Sequence, residues 1–341
     1  MKKKVKYGVI CPSNIAEKRF LPALLKSEKS EFVGMAHASI EEWQGASKND
    51  VLKEKEKVRD VINKFGGKLF DSYTSLIQSN EIDAIYIPLP PSLHYKWAKI
   101  SLENGKHVLV EKPATSCLKD SQDLISIASS KELVLHENYM FAYHEQISAI
   151  KEIIDSGEIG DVRLYRLSFG FPKRGENDFR YVQKLGGGAL LDCGGYNLKY
   201  AHMLLGKHAT LEQAVMNYSN DIEVDLYGSA VMKNENNQTV QLAFGMDNDY
   251  KCSLEVWGSL GALYTNRIFT APEGYTPKVD VIKNNVKKEI KLPSDDTFLN
   301  SVTNFEKAIY SLEKRLFNYQ EIELQAKFVE EFKALSNKNK K

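Results

Sequence analysis

The sequence predicts an α/β domain on a parallel sheet, followed by an α+β domain with a large, open, mainly antiparallel sheet. Three observations carry this. Short apolar runs alternate with helical patterns up to residue 139. Beyond residue 210, longer strand-like runs follow one another without an intervening helix. The 341 residues suffice for two domains of ordinary size.

In the first part the strand candidates are VKYGVI (5–10), EFVGMAH (31–37), AIYIP (84–88), HVLVE (107–111) and LVLHENY (133–139). Between them lie NIAEKRFLPALLKSE, DVLKEKEKVRDVINKFG, LHYKWAKISLENG and LKDSQDLISIASSK. Apolar strands separated by helices of this length make βαβ units, whose sheet is covered on both faces. Gly66, Gly67 and Gly105 punctuate helix exits. A helix over 143–160 then leads into an alternating strand, VRLYRLSFGF. A charged, glycine-rich loop (172–188) precedes the helix GALLDCGGYNLKYAHMLLG. QAVMNYS, DLYGSAVMK, TVQLAFGMD and KCSLEVWG follow, and KVDVIKNNVKKEIKL reads as a hairpin turning at Asn284-Asn285. Two helices close the chain. We place the first domain over 1–125, completed by 126–142, and the second over 143–341.

Composition sets limits. Hydrophobic residues make 43% and charged residues 27%, as in ordinary soluble proteins, and the net charge of +1 offers no footprint for nucleic acid or an anionic membrane. No stretch is long and apolar enough to span a bilayer. The apolar run at the amino end stops at Cys11 and Pro12, too short for a secretory leader. Cys11, Cys117, Cys193 and Cys252 are scattered, without metal-ligand spacing; they read as reduced thiols of a cytoplasmic protein, and no metal is expected.

The first strand runs into GVICPSNIA, where a dinucleotide pyrophosphate sits in folds of this kind. The three glycine positions of that fingerprint carry Cys11, Ser13 and Ala16. Ala16 is an accepted substitute, and Ser13 is able to cap the helix and reach a phosphate oxygen. Cys11 must avoid a positive φ, and Pro12 directs it toward extended geometry. By itself the turn fits a cofactor cradle formed by Cys11, Pro12, Ser13, Asn14 and Ile15, or a βα turn with no ligand. At the second strand's exit, His37, Ala38 and Ser39 stand where an NAD enzyme places a carboxylate. No acid repels a 2′-phosphate there, and His37 and Ser39 are possible donors to one, so NADP is favoured over NAD.

Several segments occur in a telling order: GVICPSNIAEKRFLPAL, PLPPSLHYKWAKISLENGKHVLVEKP, ENYMFAYH, GEIGDVR, GGGALLDCGGYNLKYAHMLLG and VWGSLGAL. Together they resemble the glucose–fructose oxidoreductase and inositol dehydrogenase (Gfo/Idh/MocA) family from residue 5 to 265. The resemblance implies a Rossmann domain for NAD(P), an active site between the domains, and a C-terminal sheet joining subunits into a homodimer or homotetramer. It implies that Lys112 serves the nicotinamide and the substrate oxygen, with a Lys112–Pro113 bond that is often cis. It also implies that Glu111 contacts the cofactor or orders the lysine, and that Pro88, Leu89 and His94 line the cofactor beyond the fourth strand. Glu137 and Asn138 fall in a similar place after the last strand of the domain. Many members carry His four residues after the family Asp. Here Asp192 is followed by Tyr196, as in the sugar-nucleotide 3-ketoreductases and in glucose–fructose oxidoreductase itself. FGFPKRGENDFRY before GGGALLD strengthens the ketoreductase likeness.

The chemistry suits these residues. Hydride transfer to a ketone creates an alkoxide that must be stabilised and protonated. A tyrosine near its ordinary pKa of ~10 is a poor acid, and a lysine cation beside it favours the phenolate. Lys112, Tyr196 and Asp192 therefore form a sensible catalytic set. Without the resemblance they read as a solvated loop lysine, a helix-face aromatic and an N-terminal helix charge. Arg174, Arg180 and Tyr181 of the loop are candidates for a diphosphate, or members of a solvated charged loop. The expected activity is NAD(P)-dependent oxidoreduction of a sugar or nucleotide-linked keto-sugar in deoxysugar or surface-glycan synthesis. Dehydrogenation of a free sugar or cyclic diol, and a non-catalytic cofactor-binding scaffold or sensor, are the alternatives.

Overall fold

The computed structural model describes residues 4–175 and 178–338. Its contacts divide the chain into two compact units: the chain up to Asn138 with Phe298–Glu323, and Tyr139–Thr297 with the chain from Leu324.

In the first unit β1 (Val5–Ile10) leads through a π-type turn, Ala16–Phe20, into α1 (Leu21–Lys26). Then come β2 (Ser30–Ala36), α2 (Lys48–Phe65), β3 (Lys68–Phe70), α3 (Tyr73–Ile77), β4 (Ala84–Ile87), α4 (Pro91–Glu103), β5 (His107–Val110), α5 (Leu118–Ser130) and β6 (Leu135–Glu137). All six strands pair in parallel in the order β3-β2-β1-β4-β5-β6. This is the doubly wound arrangement, whose strand order reverses between β1 and β4, the place where such sheets bind ligands. The wholly buried Ala-Ile-Tyr-Ile of β4 has no polar face because helices cover both sides. Ser47 and Asp50 cap α2 reciprocally, and Gly66 ends it at φ 81°, its N–H on Ile62 O at 2.8 Å. Trp97 of α4 is buried edge-on to Tyr73, ring centroids 5.0 Å apart; truncation of such a residue costs roughly 3–5 kcal/mol. β3 and α3 were not expected: three and five residues are too few to show a period.

The second unit opens with α6 (Glu145–Asp155), β7 (Val162–Gly170), a π-type turn at Leu190–Gly194 and α7 (Gly195–Leu205). β8 (Thr210–Ser219), β9 (Ile222–Lys233), β10 (Thr239–Gly245), β11 (Lys251–Gly258), β12 (Ala262–Asn266), β13 (Lys278–Lys283) and β14 (Val286–Lys291) complete an 8-stranded sheet ordered β14-β13-β12-β11-β7-β10-β9-β8. Every pairing is antiparallel except β10 with β7. β9 alternates strictly: Val224, Leu226, Ala230 and Met232 are buried, while Tyr227 and Ser229 face out. The hairpin turn is Asn284-Asn285, with φ of 50° and 62°, the left-handed pair that a two-residue turn demands.

α8 (Thr297–Ile309) and α9 (Leu312–Lys338) follow. We expected both in the C-terminal domain, yet Phe298–Glu323 belongs to the first unit. The reason is the apolar stripe of α8, Phe298, Val302 and Phe305, which is buried there, Phe305 lying 5.8 Å from Tyr7 of β1.

Candidate active site

The first unit collects its candidates at the carboxyl ends of its strands. Cys11 follows β1, and its N–H donates to Ala36 O at 3.1 Å. Its φ is 72°, so the expectation of an extended Cys11 was wrong. The chain must turn sharply from strand to helix here, and Cys11 takes the left-handed conformation usually left to glycine. Its thiol packs on Glu54 and Tyr73; burial first, then the Glu54 carboxylate, push its pKa well up. Ser13 accepts Ala16 N–H at 3.1 Å, capping the helix while keeping its own proton to donate. Pro12, Asn14 and Ile15 complete a turn ending in the first N–H groups of a helix, which have no intrahelical acceptor. That donor set fits a pyrophosphate.

Beyond β2 the picture differs from expectation. His37 is buried, Nδ1 donating to Ala38 O at 2.8 Å and Nε2 facing Asp71 at 3.4 Å. The Ser39 hydroxyl donates to Glu41 at 2.8 Å and its N–H to Glu42 at 2.9 Å. Acids are therefore present here, contrary to the sequence reading, because the turn after Ser39 folds back on itself. Burial opposes the charge on Glu42, but hydrogen bonds from Thr74, Ser39 and Tyr73 hold its pKa below the usual range. Glu54 accepts Ala38 N–H at 2.8 Å and Tyr73 O–H at 2.9 Å. Sequence reasoning missed Trp43, Lys53 and Lys57, which line a cavity with Cys11, Pro12 and the carboxylates Asp50 and Glu54. The two lysines lie one helical turn apart on α2, a spacing that was visible.

Beyond β4, Pro88 and Leu89 lead to His94, which is buried on α4. Nδ1 lies 2.7 Å from Pro113 O and Nε2 2.6 Å from Leu89 O. Burial pushes its pKa down to about 4. The imidazole thus packs between the β4 loop and the loop after β5, donating to one of the two carbonyls when neutral. There the Lys112–Pro113 bond is cis, as the resemblance implied. Glu111 is half-buried, its Oε1 accepting Tyr86 O–H and Asn138 Nδ2–H, each at 2.6 Å. Burial raises its pKa, opposed by those hydrogen bonds and by Lys112. Asn138 Oδ1 accepts Ser301 O–H at 2.7 Å, and Ser301 Oγ lies 3.1 Å from His136 Nε2. A serine of α8, far along the chain, therefore braces the residues beside Lys112. Glu137 accepts Ala114 N–H at 2.8 Å, holding the same loop.

In the second unit Asp192 lies in the π-type turn before α7, with Tyr196 in the first turn of that helix. π-bulges recur at functional sites. Arg180 Nε donates to Asp192 Oδ2 at 2.6 Å and its Nη1 to Asp178 at 3.1 Å. Burial works against the guanidinium, but Asp192 and then Asp178 outweigh it and raise its pKa. Arg180 therefore serves Asp192 in this structure. The Tyr196 ring lies 5.2 Å from both Tyr139 and Phe169, and its hydroxyl 3.8 Å from Met140 Sδ. Tyr181 O–H donates to Met246 O at 3.0 Å and accepts Arg174 N–H at 2.9 Å, anchoring the loop. The Arg174 guanidinium lies 4.9 Å from the Phe171 ring centre. Of the loop 172–188, residues 176 and 177 are outside the described residues.

Comparison with known proteins is consistent with this arrangement. Residues 5–139 match a family model described as an oxidoreductase family with an NAD-binding Rossmann fold, and 147–264 match the GFO/IDH/MocA C-terminal domain. A dTDP-3,4-didehydro-2,6-dideoxy-alpha-D-glucose 3-reductase of Actinomadura kijaniata is 34% identical over 307 residues, 90% of this chain and 88% of the relative. The chain belongs to the GFO/IDH/MocA oxidoreductase family. As a GFO/IDH/MocA enzyme it is an NAD(P)-dependent oxidoreductase. The same-named reductase of Streptomyces violaceoruber is 35% identical over 89% of this chain and 85% of its own. Among solved structures, a 3-ketoreductase from Actinomadura kijaniata in complex with NADP and TDP-benzene superposes with a TM-score of 0.90 at 32% identity, over 98% of each chain. Variants of that ketoreductase replace a lysine and a tyrosine separated by the same number of residues as Lys112 and Tyr196.

Proposed function

We propose that this enzyme reduces the keto group of a nucleotide-linked deoxysugar at the expense of NADPH. The observation that carries this is Asp192, held by Arg180 one helical turn before Tyr196, with Lys112 on the turn after β5. The matching lysine–tyrosine separation in a ketoreductase solved with NADP and a TDP ligand supports it. The first unit holds the cofactor, with Cys11 to Ile15 on its pyrophosphate, and Lys53 and Lys57 suit a 2′-phosphate. When bound, the nicotinamide supplies the hydride. Tyr196 delivers the proton to the nascent alkoxide, and the Lys112 cation lowers the cost of the phenolate left behind. Asp192, oriented by Arg180, accepts a hydrogen bond from a sugar hydroxyl. Glu111, braced by Tyr86 and Asn138, fixes the backbone that aims Lys112.

The second unit contributes the substrate residues and the subunit contact. The outward face of its sheet carries exposed Val215, Tyr227 and Trp257, which suits a homodimer or homotetramer. None of the four cysteines forms a disulfide, which suits a cytoplasmic enzyme. Among the described residues no helix is long and apolar enough to cross a membrane. The test is a fluorescence titration with NADPH and NADH, followed by NADPH consumption on a panel of dTDP-linked 3-keto sugars. Tight NADPH binding with turnover on that panel supports the reading. Turnover only on free sugars overturns the nucleotide-linked substrate.

A further inference from the structure

The charge of Arg180 is already met by two carboxylates, so other cations are needed to match a diphosphate. Arg174 and Arg267 are two such cations. Both are exposed, and neither guanidinium makes an ion pair among the described residues. Each instead lies on aromatic rings. Arg174 is 4.9 Å from the centre of Phe171, and Arg267 is 5.3 Å from that of Tyr250 and 5.8 Å from that of Tyr275.

Phe171 and Tyr250 share one end of the second sheet. Gly170 of β7 pairs with Lys251 of β11, so Phe171 and Tyr250 are the next residues outward on neighbouring strands. Phe171 lies 6.1 Å from Phe169, which lies 5.2 Å from Tyr196. Tyr250 O–H is 2.7 Å from Thr270 Oγ1, and Phe269, next to Thr270, lies 5.8 Å from Tyr196. Each arginine thus stands on a ring one step outward from the cluster that holds Tyr196. Arg267 also keeps a left-handed φ of 56°, with Gln146 Nε2 donating to Ile268 O at 3.3 Å beside it. Such strain persists where the surroundings impose it, often at binding sites.

We propose that Arg174 and Arg267 together grip the diphosphate of a nucleoside-diphosphate-linked sugar, and that Tyr250 and Tyr275 present their faces to its base. A guanidinium lying on a ring keeps its donor edge free for phosphate oxygens, and two of them match the charge of a diphosphate. Base–aromatic stacking adds affinity without demanding one base. This deepens the reading of a nucleotide-linked substrate and rests on it.

The experiment is calorimetric titration of the full chain with thymidine diphosphate, alongside fluorescence titration with NADPH. The wild type binds both. Arg267→Gln and Arg174→Gln each weaken thymidine diphosphate about tenfold or more, the usual loss of a charge-assisted hydrogen bond, and leave NADPH affinity unchanged. Wild-type affinity for thymidine diphosphate in Arg267→Gln, with NADPH binding retained, overturns the site. If Arg267→Gln also loses NADPH, Arg267→Lys decides: it keeps the charge, so retained thymidine diphosphate affinity supports the site and its loss overturns it. A wild type that takes NADPH but neither thymidine nor uridine diphosphate sinks the nucleotide-linked substrate, and the site with it.

Discussion

Arg180 Nε donates to Asp192 Oδ2 at 2.6 Å, so the acid before α7 enters the site already oriented. Arg180→Met removes the guanidinium that orients that carboxylate and favours its charged form. We expect kcat to fall at least tenfold with NADPH affinity unchanged, and the acid limb of the kcat profile to move up in pH. Arg180→Lys keeps the charge and recovers part of the rate. An unmoved pH profile reduces Arg180 to a loop tether.

Lys112→Met and Tyr196→Phe test the proton path. General acid–base groups are worth about 10²–10⁴ in rate. Each variant loses turnover on that scale in single-turnover assays with NADPH still bound. The double variant loses little more than the worse single one, because residues acting as a unit are not additive. Additive losses indicate separate roles.

Cys11 carries a conformation that glycine adopts freely. Cys11→Gly relieves strain on the order of 1 kcal/mol, offset in part by lost packing on Glu54 and Tyr73. NADPH affinity stays within a few-fold of wild type. Cys11→Val is β-branched and disfavours this φ; it lowers both Tm and NADPH affinity. Equal melting temperatures for the two variants refute a left-handed Cys11.

His94 lies between the Pro113 and Leu89 carbonyls, only one of which a neutral ring can hydrogen-bond, and burial outweighs both carbonyls to hold its pKa at about 4. His107 is likewise pushed by burial to about 4. Their ordinary value is 6.5, so between about pH 6.5 and 4 the unfolded chain binds protons that the fold excludes. Their contribution to stability is complete above pH 6.5 and is lost as pH falls through that window, on the order of 3 kcal/mol for His94. Glu111, raised by burial, runs the other way and favours the fold at low pH. We expect Tm to fall across this window, and His94→Gln to flatten the slope. Parallel slopes for the two proteins exclude His94 as a source.

The sequence by itself determined the two architectures, because a period of two and a period near 3.6 are written in the order of apolar residues. It also determined the asparagine turn, since two consecutive left-handed residues need particular chemistry, and it marked Lys112, Asp192 and Tyr196 through spacing and resemblance. Tertiary structure decided the rest. Pro12 made an extended Cys11 the local expectation, and the strand-to-helix turn overrode it. Arg180 read as a candidate for a diphosphate or as a solvated loop charge, and its contact with Asp192 came only with the fold. Ser301 is 163 residues from Asn138, and local pattern carries no information about a hydrogen bond across that distance. A side chain's partner depends on where the backbone has travelled, and only packing settles that.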